Sequence, residues 1–311
     1  MGFALLFSGQ GLQSSAMLPW LDDAAPAVRA LAAHPGTAPA FAMPGGWRAS
    51  LADAAFAGRN AFAQPLLTGL ALAAWSQLAP QLPAPAAIAG YSVGELPAFA
   101  AAGVFDAGTA LALAAQRAEA MDRCAATQAP TGLLGVSGLN TVALDDLCTR
   151  FGLAVAIRSG AATAVLGGPR PALADAAEAA RAAGGHATPL NVALASHTPW
   201  MQSAAAGFAQ RLADVPMQPP RGALFCGVAG ARRVAVPDLR HALAAQIDHT
   251  VRWSDCMDGI AERGVHRVLE IGAGGALARL WNERHPSIPA RAADEFRSAA
   301  AVQAWLARAA D

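Results

Sequence analysis

Short apolar runs closed by glycine alternate along this chain with longer stretches of helical spacing. FALLF (3–7) stops at Ser8-Gly9-Gln10-Gly11 and predicts a buried strand followed by a turn. QPLLTGLALAAWSQL (64–78) is long enough for a helix, with Pro65 suited to its first turn. APAAIAG (84–90) predicts a short strand running into Gly90, the apolar spacing of 92–102 a buried helix, and AGTALALAAQRAEAM (107–121) another helix.

Between about 122 and 191 the rhythm changes. TGLLGVSG (131–138) predicts a strand, TVALDDLCTRF (141–151) a helix, and LAVAIRS (153–159) and ATAVLGG (162–168) two strands across a Ser-Gly turn. PALADAAEAARAAG (171–184) predicts a helix and HATPLNV (186–192) a last strand. That βαββαβ order is the ferredoxin-like pattern. It implies a small domain over 122–191 inserted into a larger α/β-hydrolase-like domain with a parallel sheet, built from 1–121 and 192–311. The larger part resumes with a helix from about 198, a strand at 223–228, helices near 237–247 and 253–263, and the strand HRVLEIG at 266–272.

Composition narrows the chemistry. With 311 residues and 54% of them hydrophobic, the chain can bury a substantial core. Twenty-two basic residues balance 22 acidic ones, so charge makes no case for nucleic acid or a membrane as partner. All the basic residues are arginine, which excludes a Schiff-base lysine, a Ser-Lys dyad and a P-loop lysine. An anionic substrate group must then be met by arginine, backbone amides or a helix N-terminus. Cys124, Cys148, Cys226 and Cys256 form no CxxC pair and are expected to be reduced, buried thiols. The seven histidines include no HExxH or HxH, so no metal site is expected. No apolar run reaches the length of a membrane span, and no basic segment precedes the first apolar stretch. A cytoplasmic protein is the expectation.

Gly90-x-Ser92-x-Gly94 has the form of a nucleophile elbow, and its context agrees: a strand precedes it and a helix follows. A serine there sits at a helix N-terminus, where the dipole favours an oxyanion. The alternative is a plain glycine turn. For a base, His197 in ALASHTPWM stands where an apolar segment gives way to a helix, although a capping or core histidine would read the same way. His249 and His266 are weaker candidates. No triad acid announces itself; Asp248 is one option and a backbone carbonyl holding the imidazole is another. Arg117 shares a helix face with Leu113, Ala114, Ala120 and Met121, while Glu119 and Arg123 pair on the polar side. A charge on an apolar stripe is costly unless compensated. It either snorkels outward or points into a cleft to pair with a substrate carboxylate.

FSGQGLQ (7–13), QPLL (64–67), GYSVGEL (90–96), Arg117 in AAQRAEAM, ASHTPWM (195–201) and LEIGAGGAL (269–277) occur in this order. Together they resemble the malonyl-CoA:acyl carrier protein acyltransferase family over essentially the whole chain. The resemblance implies Ser92 as nucleophile, His197 as general base, and the backbone amides of Gln10 and Val93 as oxyanion hole. It implies Arg117 as the ligand of the malonyl carboxylate, the Gln246 carbonyl as the group that orients the histidine, and Gln64 as a pocket residue. It implies no bound cofactor, malonyl-CoA as substrate, coenzyme A as leaving group, and the phosphopantetheine-type arm of a carrier protein as acceptor. Two positions depart from the usual motifs: Tyr91 replaces a histidine before the serine, and SGQGLQ replaces PGQGSQ. Both variants resemble the epsilon subunit of malonate decarboxylase, whose acceptor is a small delta-type carrier subunit with a phosphoribosyl-dephospho-CoA arm. A malonyl-CoA:ACP transacylase of fatty-acid synthesis is the alternative. Outside the transferases, an esterase or thioesterase would share the elbow, and a docking subunit would need no chemistry at all.

Overall fold

The computed structural model describes residues 2–308. Its strands are β1 (Gly2–Phe7), β2 (Ala87–Gly90), β3 (Thr131–Ser137), β4 (Ala154–Arg158), β5 (Thr163–Pro169), β6 (His186–Pro189), β7 (Ala223–Cys226), β8 (Ala231–Arg233), β9 (Val251–Arg252), β10 (Val265–Ile271) and β11 (Ala290–Ala292). One sheet has the order β11-β10-β1-β2-β7-β8, parallel throughout except for β8, which pairs antiparallel with β7 at the edge. The other has the order β6-β3-β5-β4-β9. Its first four strands pair antiparallel, and the two-residue β9 joins parallel to β4.

The apolar character of β1 follows from burial on both faces. Phe3, Leu5 and Phe7 point into one core with Leu66, Leu70, Leu96, Phe99 and Leu113. Ala4 and Leu6 point into a second core with Trp253, Met257, Ile260, Leu277 and Trp281. A strand covered on both sides by helices has no polar face to alternate with, so it reads as a continuous apolar run. The second sheet has its own core, in which Leu134, Val136 and Leu166 pack against Leu144, Leu147, Leu173 and Ala176 from the helices Thr141–Phe151 and Arg170–Ala182. The strands and helices of this region lie close to their predicted spans.

Two local expectations need correction. The helix around 64–78 starts earlier, at Asn60, so Pro65 lies inside it and not in its first turn. The ladder bond that Pro65 cannot make would have gone to Ala61, an exposed residue whose carbonyl water can serve. The segment after Ser92 is a turn of 3₁₀ helix over Ser92–Gly94 followed by the α-helix Glu95–Ala101.

That tight turn is what the glycines permit. A Cβ on Gly94 would lie 2.3 Å from the Phe7 carbonyl oxygen and 2.6 Å from that of Ser8, and a Cβ on Gly90 would lie 2.1 Å from the Gly94 oxygen. The corner is pressed onto the end of β1, with the Tyr91 N–H donating to the Phe7 carbonyl at 2.9 Å. Gly94→Ala is therefore expected to lower stability by about 1–3 kcal/mol, as over-packing does. Gly207 lies within the helix Gln202–Ala213, and a Cβ added there would meet no atom within 4 Å. Gly207→Ala should therefore raise stability by about 0.5–1 kcal/mol. Urea unfolding of the two variants checks both signs.

Candidate active site

The carboxyl ends of β1 and β2 lie side by side, and the loops that leave them carry Gln10 and Ser92. Ligands of parallel α/β sheets bind outside such strand ends. The first loop is tied down by Ser8, whose N–H donates to the Ile271 carbonyl at 3.0 Å and whose hydroxyl donates to Glu270 Oε1 at 2.7 Å. Burial pushes the Glu270 carboxyl up to about 7, while bonds from the Ala278 amide and Ser8 oppose the rise. Ser92 has φ 57° and His197 φ 63°, left-handed values that cost a residue with a side chain about 1–3 kcal/mol each and persist only where the surroundings impose them. Here both belong to one constellation.

Ser92 Oγ and His197 Nε2 are 2.9 Å apart. On the other side of the ring, Nδ1 meets the Gln246 carbonyl in a short hydrogen bond. A carbonyl can only accept, so the Nδ1 proton donates to it and the bare Nε2 accepts from the serine hydroxyl. Burial holds the imidazole down at about 3, assisted by the nearby Arg117 charge and opposed by the bond to Gln246. The ring is thus neutral, the state a base requires. The His197 amide is fixed by donating to the Ile247 carbonyl at 2.7 Å.

Arg117 is buried in the interior face of the helix Ala107–Ala126, with only 1% of its surface exposed. Nη1 donates to Gln64 Oε1 at 2.8 Å, and Nη2 makes longer contacts with Gln246 Oε1 at 3.3 Å and Ser92 Oγ at 3.4 Å. It does not snorkel. Removal from water lowers its guanidinium to about 10, which still leaves it cationic at neutral pH.

These groups surround a cavity of about 90 Å³. Gln10, Gln64, Tyr91, Ser92, Val93, Arg117 and His197 line it from the large-sheet side, Leu133, Ile157 and Val165 wall it from the other sheet, and Val192 adds to that wall from the loop after β6. Val93 is the second residue of the 3₁₀ turn, so its N–H is among the donors that a helix start leaves without an internal partner. Tyr91 packs edge-on against Trp253 at 5.2 Å. Desolvation pushes its phenol to about 12.

Other candidates fall elsewhere. Asp248 Oδ1 pairs with its neighbour His249 Nδ1 at 2.6 Å, and His266 Nδ1 bonds the Gly2 carbonyl at 2.8 Å; none of the three reaches Ser92 or His197. Two contributions escaped the sequence. Gln246 acts with its side chain on Arg117 as well as with its carbonyl on His197, and Glu95 lies buried behind the corner. Among the described residues, no group of three His, Cys, Asp or Glu is placed to hold a metal ion, and no helix is long and apolar enough to cross a membrane. The four cysteines are free.

A serine hydroxyl that a neutral imidazole can deprotonate, on a corner of an α/β sheet, is the equipment of enzymes that pass an acyl group through serine, transferases and hydrolases alike. Comparison with known proteins decides between the two: the chain belongs to the acyl transferase domain family, which matches residues 4–302. It is 32% identical to the malonyl CoA-acyl carrier protein transacylase of Mycobacterium bovis over 303 residues, 93% of this chain and 95% of that protein. The crystal structure of the MCAT of Mycobacterium tuberculosis superposes with a TM-score of 0.85 at 30% identity, covering 98% of this chain and 99% of the other. A malonyl-transacylase solved in complex with its type II PKS acyl-carrier protein gives 0.86 at 27% identity, again over 98% and 99%.

If the Gln246 carbonyl orients the base, His197→Ala should slow acylation of the enzyme by roughly 10²–10⁴-fold while Asp248→Asn leaves it within a few-fold of wild type. Single-turnover acylation measures both. A comparable loss in Asp248→Asn would restore a carboxylate to the relay.

Proposed function

We propose that this protein is a malonyl-CoA:acyl carrier protein S-malonyltransferase that carries the malonyl group as an ester of Ser92. The observation that supports it most is the Arg117 cation, buried beside Ser92 with only amide and hydroxyl oxygens for partners. A cation so placed suits an acyl group that brings its own carboxylate. The small cavity suits a short acyl chain. An esterase of the hydrolase type would place its histidine near the C-terminus after an acid, and would give Arg117 no task.

In this reading His197 Nε2 takes the Ser92 proton as Oγ attacks the thioester carbonyl. The oxyanion sits on the amides of Gln10 and Val93, and His197 returns the proton to the departing coenzyme A sulfur. The carrier thiol then gives its proton to His197, attacks the Ser92 ester and leaves as malonyl thioester, with the serine reprotonated. The apolar wall of Leu133, Ile157, Val165 and Val192 keeps water from the ester, favouring transfer over hydrolysis. The antiparallel order β6-β3-β5-β4 supports treating 122–191 as a ferredoxin-like insert that supplies this wall.

The relatives named above favour an acyl carrier protein as acceptor over the delta-type carrier subunit of malonate decarboxylase. The epsilon-subunit resemblance rests on Tyr91 and SGQGLQ, and both variants have local structural work: Tyr91 packs on Trp253, and Ser8 bonds Glu270.

Arg117→Ala should cost malonyl transfer on the order of 2–5 kcal/mol, as truncating one partner of a buried charge pair does. Acetyl transfer should hold or improve, and Arg117→Lys should rescue only in part, because an ammonium lacks the planar fork. The readout is the ratio of malonyl to acetyl kcat/KM. Equal losses for both substrates would make Arg117 structural.

A further inference from the structure

The loop that leaves β1 and carries Gln10 is fastened on both sides of that residue. Ser8 holds one side on β10, through its N–H on the Ile271 carbonyl at 3.0 Å and its hydroxyl on Glu270 Oε1 at 2.7 Å. Gly11 holds the other: its N–H donates to Gln13 Oε1 at 2.6 Å, and Gln13 Nε2 donates to the Ala57 carbonyl at 2.9 Å. Between them Gly9 lies hard against the corner, where a Cβ would come within 2.8 Å of the Tyr91 carbonyl oxygen and 3.5 Å of Ser92 Cβ. Ser8 is approached as closely from β10, since a Cβ on Gly272 would lie 2.9 Å from Ser8 Cβ. A loop packed this tightly passes a shift along the chain instead of absorbing it.

Glu270 is the next-to-last residue of β10 and is 1% exposed. Its Oε2 accepts the Ala278 N–H at 2.8 Å, one of the donors that the start of the helix Ala276–Arg284 leaves without an internal partner. The carboxyl thus bridges that helix and the Ser8 hydroxyl. The acyl-transfer steps themselves make no use of it.

We infer that Ser8 and Glu270 are positioning residues that place the Gln10 amide for the oxyanion formed on Ser92. The inference rests on the acyl-transfer reading, in which that amide receives the oxyanion. Without the Ser8 hydroxyl, Glu270 Oε1 loses a donor while it stays buried, a costly state that the loop and the end of β10 shift to relieve. The shift reaches the Gly9–Gln10 peptide, whose N–H then stands away from the oxyanion. A displacement on the order of 1 Å at a reacting centre costs up to about 10²-fold in rate. The oxyanion forms on the thioester carbonyl of any acyl group, so the loss does not depend on a malonyl carboxylate.

The test is single-turnover acylation of the full chain by malonyl-CoA and by acetyl-CoA at one pH, for wild type, Ser8→Ala, Glu270→Gln and Glu270→Asp. The rate constant reports the site and the amplitude reports the folded fraction, so a merely structural role lowers only the amplitude. Ser8→Ala should lower the limiting rate constant by about tenfold for both acyl groups, short of the roughly 10²–10³-fold that deleting an oxyanion donor costs. The half-saturating concentrations should not move. Glutamine at position 270 keeps the reach, because its oxygen can accept the Ala278 N–H while its amide donates to Ser8 Oγ. Aspartate keeps the charge but is one methylene too short to meet both partners. Glu270→Gln should therefore acylate about fivefold or more faster than Glu270→Asp. A Ser8→Ala rate constant equal to that of wild type, a loss confined to one acyl group, or Glu270→Gln no faster than Glu270→Asp would overturn the inference. Should Ser8→Ala fail to fold, the two Glu270 variants decide alone: a faster glutamine variant supports the inference, and equal rates overturn it. Failure of the acyl-transfer reading itself would show separately, as a wild type that takes no acyl group onto Ser92.

Discussion

A full positive charge removed from water at the base of a narrow cleft is the constraint around which the rest of this molecule is arranged. Arg117 sits on a helix whose buried face also carries Leu113, Ala114, Ala118 and Met121 beside it. A bare charge there would cost several kcal/mol. Three partners from distant parts of the chain soften that cost: Gln64 from the long helix after β1, Ser92 from the corner, and Gln246 from the segment before β9. Holding them in place ties Ser92, His197 and the cation into one unit. Gln246 makes the tie explicit, with its side chain on Arg117 and its carbonyl on His197.

The same unit holds the serine and the histidine together with no carboxylate in contact with the ring. A carboxylate beside His197 would compete with a substrate carboxylate for the Arg117 field. A backbone carbonyl orients the imidazole with a dipole and no net charge. Arg117 is left with neutral oxygens as its only direct hydrogen-bond partners.

How much of this could be read from residues alone depended on whether side-chain type or backbone placement carries the feature. The double-sided burial of β1 was legible because FALLF has no polar alternation, and the corner because only glycine fits at positions 90 and 94. Arg117 was legible as a charge on an apolar stripe. The Gln246 carbonyl was not, since any residue supplies one; it entered through the family resemblance. Nothing in the sequence marks Glu95 as buried, because its partner Gly227 lies 132 residues away, just after β7. The two-residue β9 left no periodicity to detect, and Pro65 misled because proline is commoner at a helix start than in its second turn.

The most direct test is to mix the protein with malonyl-CoA, with no acceptor present, and map the product by peptide mass spectrometry. The account predicts a persistent malonyl group on the peptide containing Ser92, discharged when an acyl carrier protein thiol is added. Free malonate accumulating without acceptor, or a malonyl group on a different residue, would contradict it.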